Sequence, residues 1–293
     1  MMKTKQFGHT DLNVSLLTFG CGAVGGLMTK GDAADQDRAV AWARDNGINH
    51  FDTAPSYGNT TSETNLGRAL GRNREGIIVS TKVGLDEADY GTLATTIRSS
   101  LEASLTRLQQ DHVDIFQLHN TLGVPDNRGL LGADQVLNEI VPIFEKLRDE
   151  GKTRYLGFTA KGATNDLHKL VESGHFNSAQ IFFNMLAPSA GEPIPTSYPA
   201  DDFRLLLNVA KDNGVGSIGV RVLAGGALSG SEARHPLGMQ SVAPIGSSQE
   251  GPFLDLIRET MWEHARTILR DARRDGGIAH QTSEGNWTLS PFK

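Results

Sequence analysis

The sequence predicts a (β/α)8 barrel of the TIM type, opened by an N-terminal β-hairpin and ending in an eighth βα unit that is irregular or incomplete. Three observations carry this expectation. Seven short apolar runs are separated by longer amphipathic stretches, an alternation that calls for a parallel sheet with helical crossovers. Glycine follows the last periodic residue of several helix candidates, as a left-handed cap does. The length of 293 residues suits one large α/β barrel. No internal linker or low-complexity segment interrupts it, so one domain is expected over 1–293, with 251–293 divergent.

The elements follow in order. A hairpin pairing 5–7 with 14–16 is placed to plug the barrel bottom. Strands are expected at 16–19, 49–52, 77–82, 113–118, 155–158, 178–183 and 216–220; each is short and apolar, as suits strands buried on both faces. Helices are expected at 35–46, 62–70, 92–109, 137–150, 165–173 and 201–213, with apolar residues three and four apart, as in Leu101, Leu105 and Leu108. Asn46-Gly47, Glu150-Gly151, Ser173-Gly174 and Asn213-Gly214 return the chain to the next strand. Regularity fails after Val220. A Gly-rich loop and a long polar stretch lead to one more helix, 253 to about 274. Residues 287–292 are the one candidate for a short eighth strand, and Pro291 puts that candidate at an edge or terminus.

Composition narrows the function classes. Net charge is −6 and no long basic run appears, which points away from nucleic acid and anionic membrane. A polar N-terminus and the lack of an 18-residue apolar run predict neither signal peptide nor membrane span. The single cysteine, Cys21, excludes an intramolecular disulfide and suits a reducing, cytoplasmic setting. The nine histidines show no H-x-x-x-H or H-E-x-x-H spacing, so no metal site is expected. Oligomeric state is not readable.

Chemistry concentrates at the C-terminal ends of successive strands, the face on which barrel enzymes build their sites. Phe51-Asp52-Thr53-Ala54-Pro55-Ser56-Tyr57-Gly58 closes strand 2 and runs on to Ser62-Glu63 and Leu66-Gly67; Lys82 closes strand 3; His119 closes strand 4. A carbonyl that receives hydride becomes an alkoxide and needs a proton. A tyrosine hydroxyl can supply one, but its ordinary pKa near 10 is high. An ammonium beside it favours the phenolate and lowers that value, a task for Lys82. Asp52 can hold Lys82 ionised, and His119 can orient the carbonyl.

These motifs, with Ser80-Thr81-Lys82, Leu156-Gly157-Phe158-Thr159, Gln180 with Asn184, and 221–230, resemble the aldo-keto reductase family over roughly residues 3–250. In wording around strands 1 and 7 the chain is similar to bacterial and fungal aldose dehydrogenase-like members. The resemblance implies an oxidoreductase interconverting an aldehyde, ketone or aldose with an alcohol. Tyr57 would be the proton donor, Lys82 and Asp52 its tuners, and His119 the orienting group. The implied cofactor is NADPH, with NADH the alternative. Gly22, Thr159, Gln180, Arg221, Leu223 and Gly225 would hold it, Gln180 at the carboxamide and the loop 223–228 near the pyrophosphate. Two departures stand out. The family's Ser-Asn after strand 5 is Thr159-Ala160 here, which keeps one of two hydrogen bonds. The eighth strand and the helix that grips the 2′-phosphate have no counterpart in 253–293.

Two rival readings stand beside this one. A non-catalytic cofactor-binding or regulatory barrel would follow if the divergent C-terminus weakens the cofactor site. Gly20-Cys21-Gly22-Ala23-Val24-Gly25 spells a G-x-G-x-x-G fingerprint after a strand, but 28–32 reads as a loop where a helix should open, and that reading leaves Tyr57, Lys82 and His119 without roles. Cys21 is read as a packed small residue, and Asp32, Asp35 and Asp37 as a solvated helix start.

Overall fold

A computed structural model describes residues 2–124, 130–196, 198, 200–229, 235–239, 277–281 and 287–291. Its N-terminal hairpin pairs β1 (Thr4–Gln6) with β2 (Asn13–Ser15), Lys5 opposite Val14. The ladder sits one residue earlier than expected because Phe7 leaves it: its N–H donates to Leu12 O, and the ring turns inward. Phe7, Leu12 and Val14 form a small apolar cluster with Ile78, Ile115 and Ile218, inward residues of three barrel strands. The hairpin therefore plugs the barrel bottom.

Seven parallel strands follow in chain order. They are β3 (Thr18–Gly20), β4 (His50–Asp52), β5 (Ile78–Val83), β6 (Val113–Leu118), β7 (Thr153–Ala160), β8 (Ser178–Phe182) and β9 (Gly216–Val220). These are the seven runs read from the sequence. Strands β4, β5, β6 and β8 are buried at every residue, whereas β3 and β9, the two sheet edges, are not. Among the described residues no eighth strand joins β9 to β3. Residues 235–239 return to the loop after β3, with Met239 N–H donating to Val24 O at 3.3 Å.

The residues 287–292 were expected to offer an eighth strand, and here the structure corrects the expectation. β10 (Gly277–Gln281) and β11 (Trp287–Pro291) form a separate antiparallel pair, with Pro291 opposite Gly277 at its end. Only five residues separate the two strands in sequence, fewer than the dozen or more that a parallel crossover needs. The expected helix at 253–274 lies outside the described residues.

The helices are α1 (Leu27–Lys30), α2 (Ala33–Asp45), α3 (Thr61–Leu70), α4 (Leu93–Leu108), α5 (Ala133–Gln135), α6 (Val141–Asp149), α7 (Thr164–Glu172) and α8 (Leu206–Asp212). The four expected glycine caps hold, with φ of 82°, 75°, 77° and 68° at Gly47, Gly151, Gly174 and Gly214. Two boundaries differ from expectation. The fourth crossover begins earlier, at α5, and passes through a π-helical turn (Val136–Ile140) before α6, where Pro142 has no N–H to continue an α ladder. The helix expected at 201–213 starts late, at Leu206, because Arg204 and Leu205 are left-handed (φ 47° and 59°). The Asp202 carboxylate accepts from Arg204 N–H at 2.9 Å, and Ser189 Oγ accepts from Phe203 N–H, so side chains rather than a helix satisfy this backbone.

Helix α3 holds the loop after β4 in place. Ser62 Oγ donates to Cys21 O at 2.9 Å and meets Thr53 Oγ1 at 2.9 Å. Glu63 is fully buried; it accepts from Thr81 Oγ1 at 2.5 Å and from Arg107 Nε at 2.6 Å, tying α3 to β5 and α4.

Candidate active site

Strand alternation aims one side chain in two at the barrel axis. His50 and Asp52 on β4, Ser80 and Lys82 on β5, and Gln117 on β6 share that inward face, and their hydrogen bonds converge on one carboxylate. Asp52 Oδ1 accepts from Ser80 Oγ at 2.7 Å, Gln117 Nε2 at 3.1 Å and Gln180 Nε2 at 2.7 Å. Asp52 Oδ2 accepts from Lys82 Nζ at 2.7 Å, and Lys82 also donates to Thr53 O at 2.7 Å. Burial alone would strip Lys82 of its proton. Asp52 and Tyr57 outweigh it and hold the ammonium above its ordinary pKa. Asp52 in turn is held below the carboxylate range, since Lys82 and Ser80 outweigh its burial.

Lys82 Nζ lies 4.8 Å from the centre of the Tyr57 ring, and the Tyr57 and His119 rings meet edge to face at 5.8 Å. Ser56 Oγ stands 3.5 Å from His119 Nδ1, on the side away from Nε2. The structure therefore brings Asp52, Tyr57, Lys82 and His119 together. It reverses one expectation. The Tyr57 phenol sits above, not below, its ordinary pKa: burial raises it more than Lys82 lowers it. The phenol is therefore protonated near neutral pH, with the Lys82 ammonium against its ring. Burial and the Lys82 charge push His119 down to about 4, so its imidazole is neutral near pH 7.

The expected cofactor residues lie on β7, on β8 and in the loops after β3 and β9. A Cβ on Gly22 would come within 3.7 Å of the Tyr57 ring, so the first βα turn passes directly over the phenol. Thr159 and Gln180 are register partners on β7 and β8. Thr159 Oγ1 is buried and has no hydrogen-bond partner among the described residues. Asn184 shapes the loop after β8: its Oδ1 accepts from Leu186 and Ala187 N–H, and its Nδ2 donates to Arg221 O at 3.1 Å. The Arg221 guanidinium lies 5.3 Å over the Phe182 ring. Leu223 is exposed, and Gly225 and Gly226 adopt φ of 63° and 105°, backbone that glycine takes without strain. Thr159, Gln180 and Gly22 fit a nicotinamide group: a hydroxyl with no partner among the described residues and an amide at one strand level, with the Gly22 turn over Tyr57.

Three residues of the site carried no role in the sequence reading: His50, Ser80 and Gln117. Their signal was the two-residue spacing to Asp52, Lys82 and His119, which marks a common strand face. Among the described residues no group of His, Cys, Asp and Glu could hold a metal ion, and no helix is long and apolar enough to cross a membrane. Cys21 is buried, and burial and Asp52 push its thiol upward, so it packs as a small apolar residue.

Comparison with known proteins agrees with this geometry. The Aldo/keto reductase family matches residues 16–267. L-galactose dehydrogenase of Arabidopsis thaliana is 35% identical over 247 residues, covering 80% of this chain and 70% of the plant protein. The holo form of an aldo-keto reductase from Bacillus halodurans superimposes with a TM-score of 0.61 at 26% identity, covering 92% of this chain and 82% of that one. An aldo-keto reductase from Klebsiella pneumoniae in complex with NADPH gives 0.56 at 26% identity, over 78% and 70%. The chain thus belongs to the aldo/keto reductase family and is an oxidoreductase of the carbonyl–alcohol pair.

Proposed function

We propose that the chain is an NADPH-dependent reductase of aldehydes and ketones, aldoses among them, with Tyr57 as proton donor. One observation carries the reading: a fully buried Lys82 held ionised by Asp52 against the face of Tyr57. The dinucleotide supplies hydride when bound, and Thr159, Gln180, Gly22 and the turn 221–225 are the residues that would hold it. Gln180 commits its amide nitrogen to Asp52, so its oxygen is the end left for a donor such as a carboxamide. His119, neutral, can donate from Nε2 to the carbonyl oxygen, because Ser56 meets Nδ1. Tyr57 Oη then gives its proton to the alkoxide. Lys82 stabilises the phenolate that remains, and Asp52 keeps Lys82 charged throughout. The NADPH-bound bacterial neighbour and the sugar substrate named for the plant relative support the choice of cofactor and substrate class.

The test is a fluorescence titration of the full chain with NADPH and with NADH, followed by a carbonyl and aldose screen. Micromolar NADPH binding with turnover of an aldose is the expected result. Failure to bind either dinucleotide would overturn the enzyme reading, and a tighter NADH isotherm would overturn the cofactor choice.

A further inference from the structure

Beneath the tetrad runs a hydrogen-bonded chain that the reaction scheme above does not use. Thr18 Oγ1 meets His50 Nδ1 at 3.0 Å, His50 Nε2 meets Ser80 Oγ at 3.0 Å, and Ser80 Oγ donates to Asp52 Oδ1 at 2.7 Å. His50 and Ser80 are fully buried, out of reach of bulk solvent. The direction of the chain follows from valence. A carboxylate facing Lys82 only accepts, so the single Ser80 proton points to Asp52. Ser80 Oγ must then accept from His50, which places the imidazole proton on Nε2. Nδ1, left bare, accepts from Thr18. The opposite tautomer would turn Ser80 around to donate to His50, and Asp52 would lose a donor.

We propose that His50 is a positioning residue of the active site: its Nε2–H fixes the Ser80 hydroxyl as a donor to Asp52 and so holds the Asp52–Lys82 pair ionised beneath Tyr57. The roles of Lys82 and Tyr57 in this statement rest on the proposed function. Several charges face the imidazole. Asp52 lies on its own strand, Lys82 on β5, and Asp114 on β6, where Arg154 of β7 donates to Asp114 at 2.7 Å. The Phe7 ring packs at 6.4 Å from the hairpin. Burial outweighs the two carboxylates and pushes His50 down to about 4, so the ring is neutral near pH 7 and the tautomer, not charge, is its contribution. Aligned dipoles in a low-dielectric interior reinforce one another, so the third residue of the chain bears on the first.

The experiment has two arms. Nitrogen-15 NMR of the resting full-length protein reads the His50 tautomer without any activity. A neutral ring protonated on Nε2 from pH 6 to 8 is expected; Nδ1–H or an imidazolium at pH 7 would overturn the proposal. The second arm follows carbonyl reduction against pH in His50→Leu, His50→Gln and Ser80→Ala. Glutamine can place an N–H near the imidazole Nε2. It should keep kcat within about threefold of wild type, whereas His50→Leu and Ser80→Ala should lower it roughly tenfold. In those two the high-pH limb should move upward, because a weaker Asp52–Lys82 pair raises the Tyr57 pKa. The KM for NADPH should stay within twofold. High-pH limbs of His50→Leu and Ser80→Ala that superimpose on wild type would overturn the proposal, and Ser80→Ala guards against a His50→Leu chain that fails to fold. If wild type reduces no carbonyl, the proposed function falls and the tautomer measurement alone decides His50.

Discussion

Lys82 Nζ lies 2.7 Å from Asp52 Oδ2 with the lysine side chain wholly withdrawn from solvent. Such a pair is held together less by net attraction than by the cost of leaving either partner alone. Asp52→Asn should therefore lose about 3–5 kcal/mol of stability in urea unfolding, the range for breaking a buried pair. The double variant Asp52→Leu/Lys82→Met should recover most of that stability while remaining inactive. A double variant as unstable as the single one would show that Ser80, Gln117 and Gln180, which also donate to Asp52, dominate its contribution.

Tyr57→Phe removes one oxygen and little else, because the ring keeps its edge contact with His119 and its face toward Lys82. Carbonyl reduction should fall by at least a hundredfold, within the range for a lost general acid. NADPH affinity should change by less than threefold. Reduction persisting at more than a tenth of the wild-type rate would remove Tyr57 from the proton-transfer role.

Histidine burial gives stability a defined pH dependence. His50 is neutral in the fold with a value near 4, against 6.5 in the unfolded chain. Between those values the unfolded state binds more protons, so stability falls as pH drops from about 6.5 to 4 and then levels off. Wild type should lose roughly 3 kcal/mol more than His50→Leu across this window, at about 1.4 kcal/mol per pH unit. Parallel stability curves for the two proteins would mean that the fold does not lower the His50 pKa.

Most of the barrel was legible because the signals are local. Val113–Leu118 reads as a strand and 92–109 as a helix (observed over Leu93–Leu108) from side-chain periodicity alone, and the tetrad was found because its members follow the ends of successive strands. What escaped depends on distant partners. Gln117 gains a role only once β5 and β6 bring it to Asp52, and the upward shift of Tyr57 comes from burial that no motif encodes. The late start of α8 reflects two left-handed residues stabilised by side chains on the Ser189 loop and at Asp202. A C-terminal strand was visible, but its hairpin pairing was not, since alternation does not reveal which edge a strand meets.

Gly67 marks where α3 and α4 cross. A Cβ there would stand 2.3 Å from Arg107 O and 2.9 Å from Leu108 C, backbone atoms that cannot rotate aside. Gly67→Ala should cost about 1–3 kcal/mol, as overpacking does, despite the better helix propensity of alanine. The displacement should reach Arg107 and its bond to Glu63. A variant as stable as wild type in thermal unfolding would mean that the helices separate at no cost.

Thr159 offers the sharpest separation of binding from folding. Its hydroxyl is buried and has no partner among the described residues, so it carries a desolvation cost that none of them offsets. Thr159→Val keeps the branched shape and removes only the hydroxyl. The variant should be as stable as wild type or more stable, by up to about 1–3 kcal/mol, the cost of an unsatisfied buried group. If the hydroxyl waits for the nicotinamide amide, the same variant should bind NADPH about five- to tenfold more weakly, the loss of one neutral hydrogen bond. Gains in stability with losses in affinity are the signature of a group held ready for a ligand. Equal NADPH affinity in the two proteins would take Thr159 out of the cofactor site and leave Gln180, on the neighbouring strand, as the carboxamide contact.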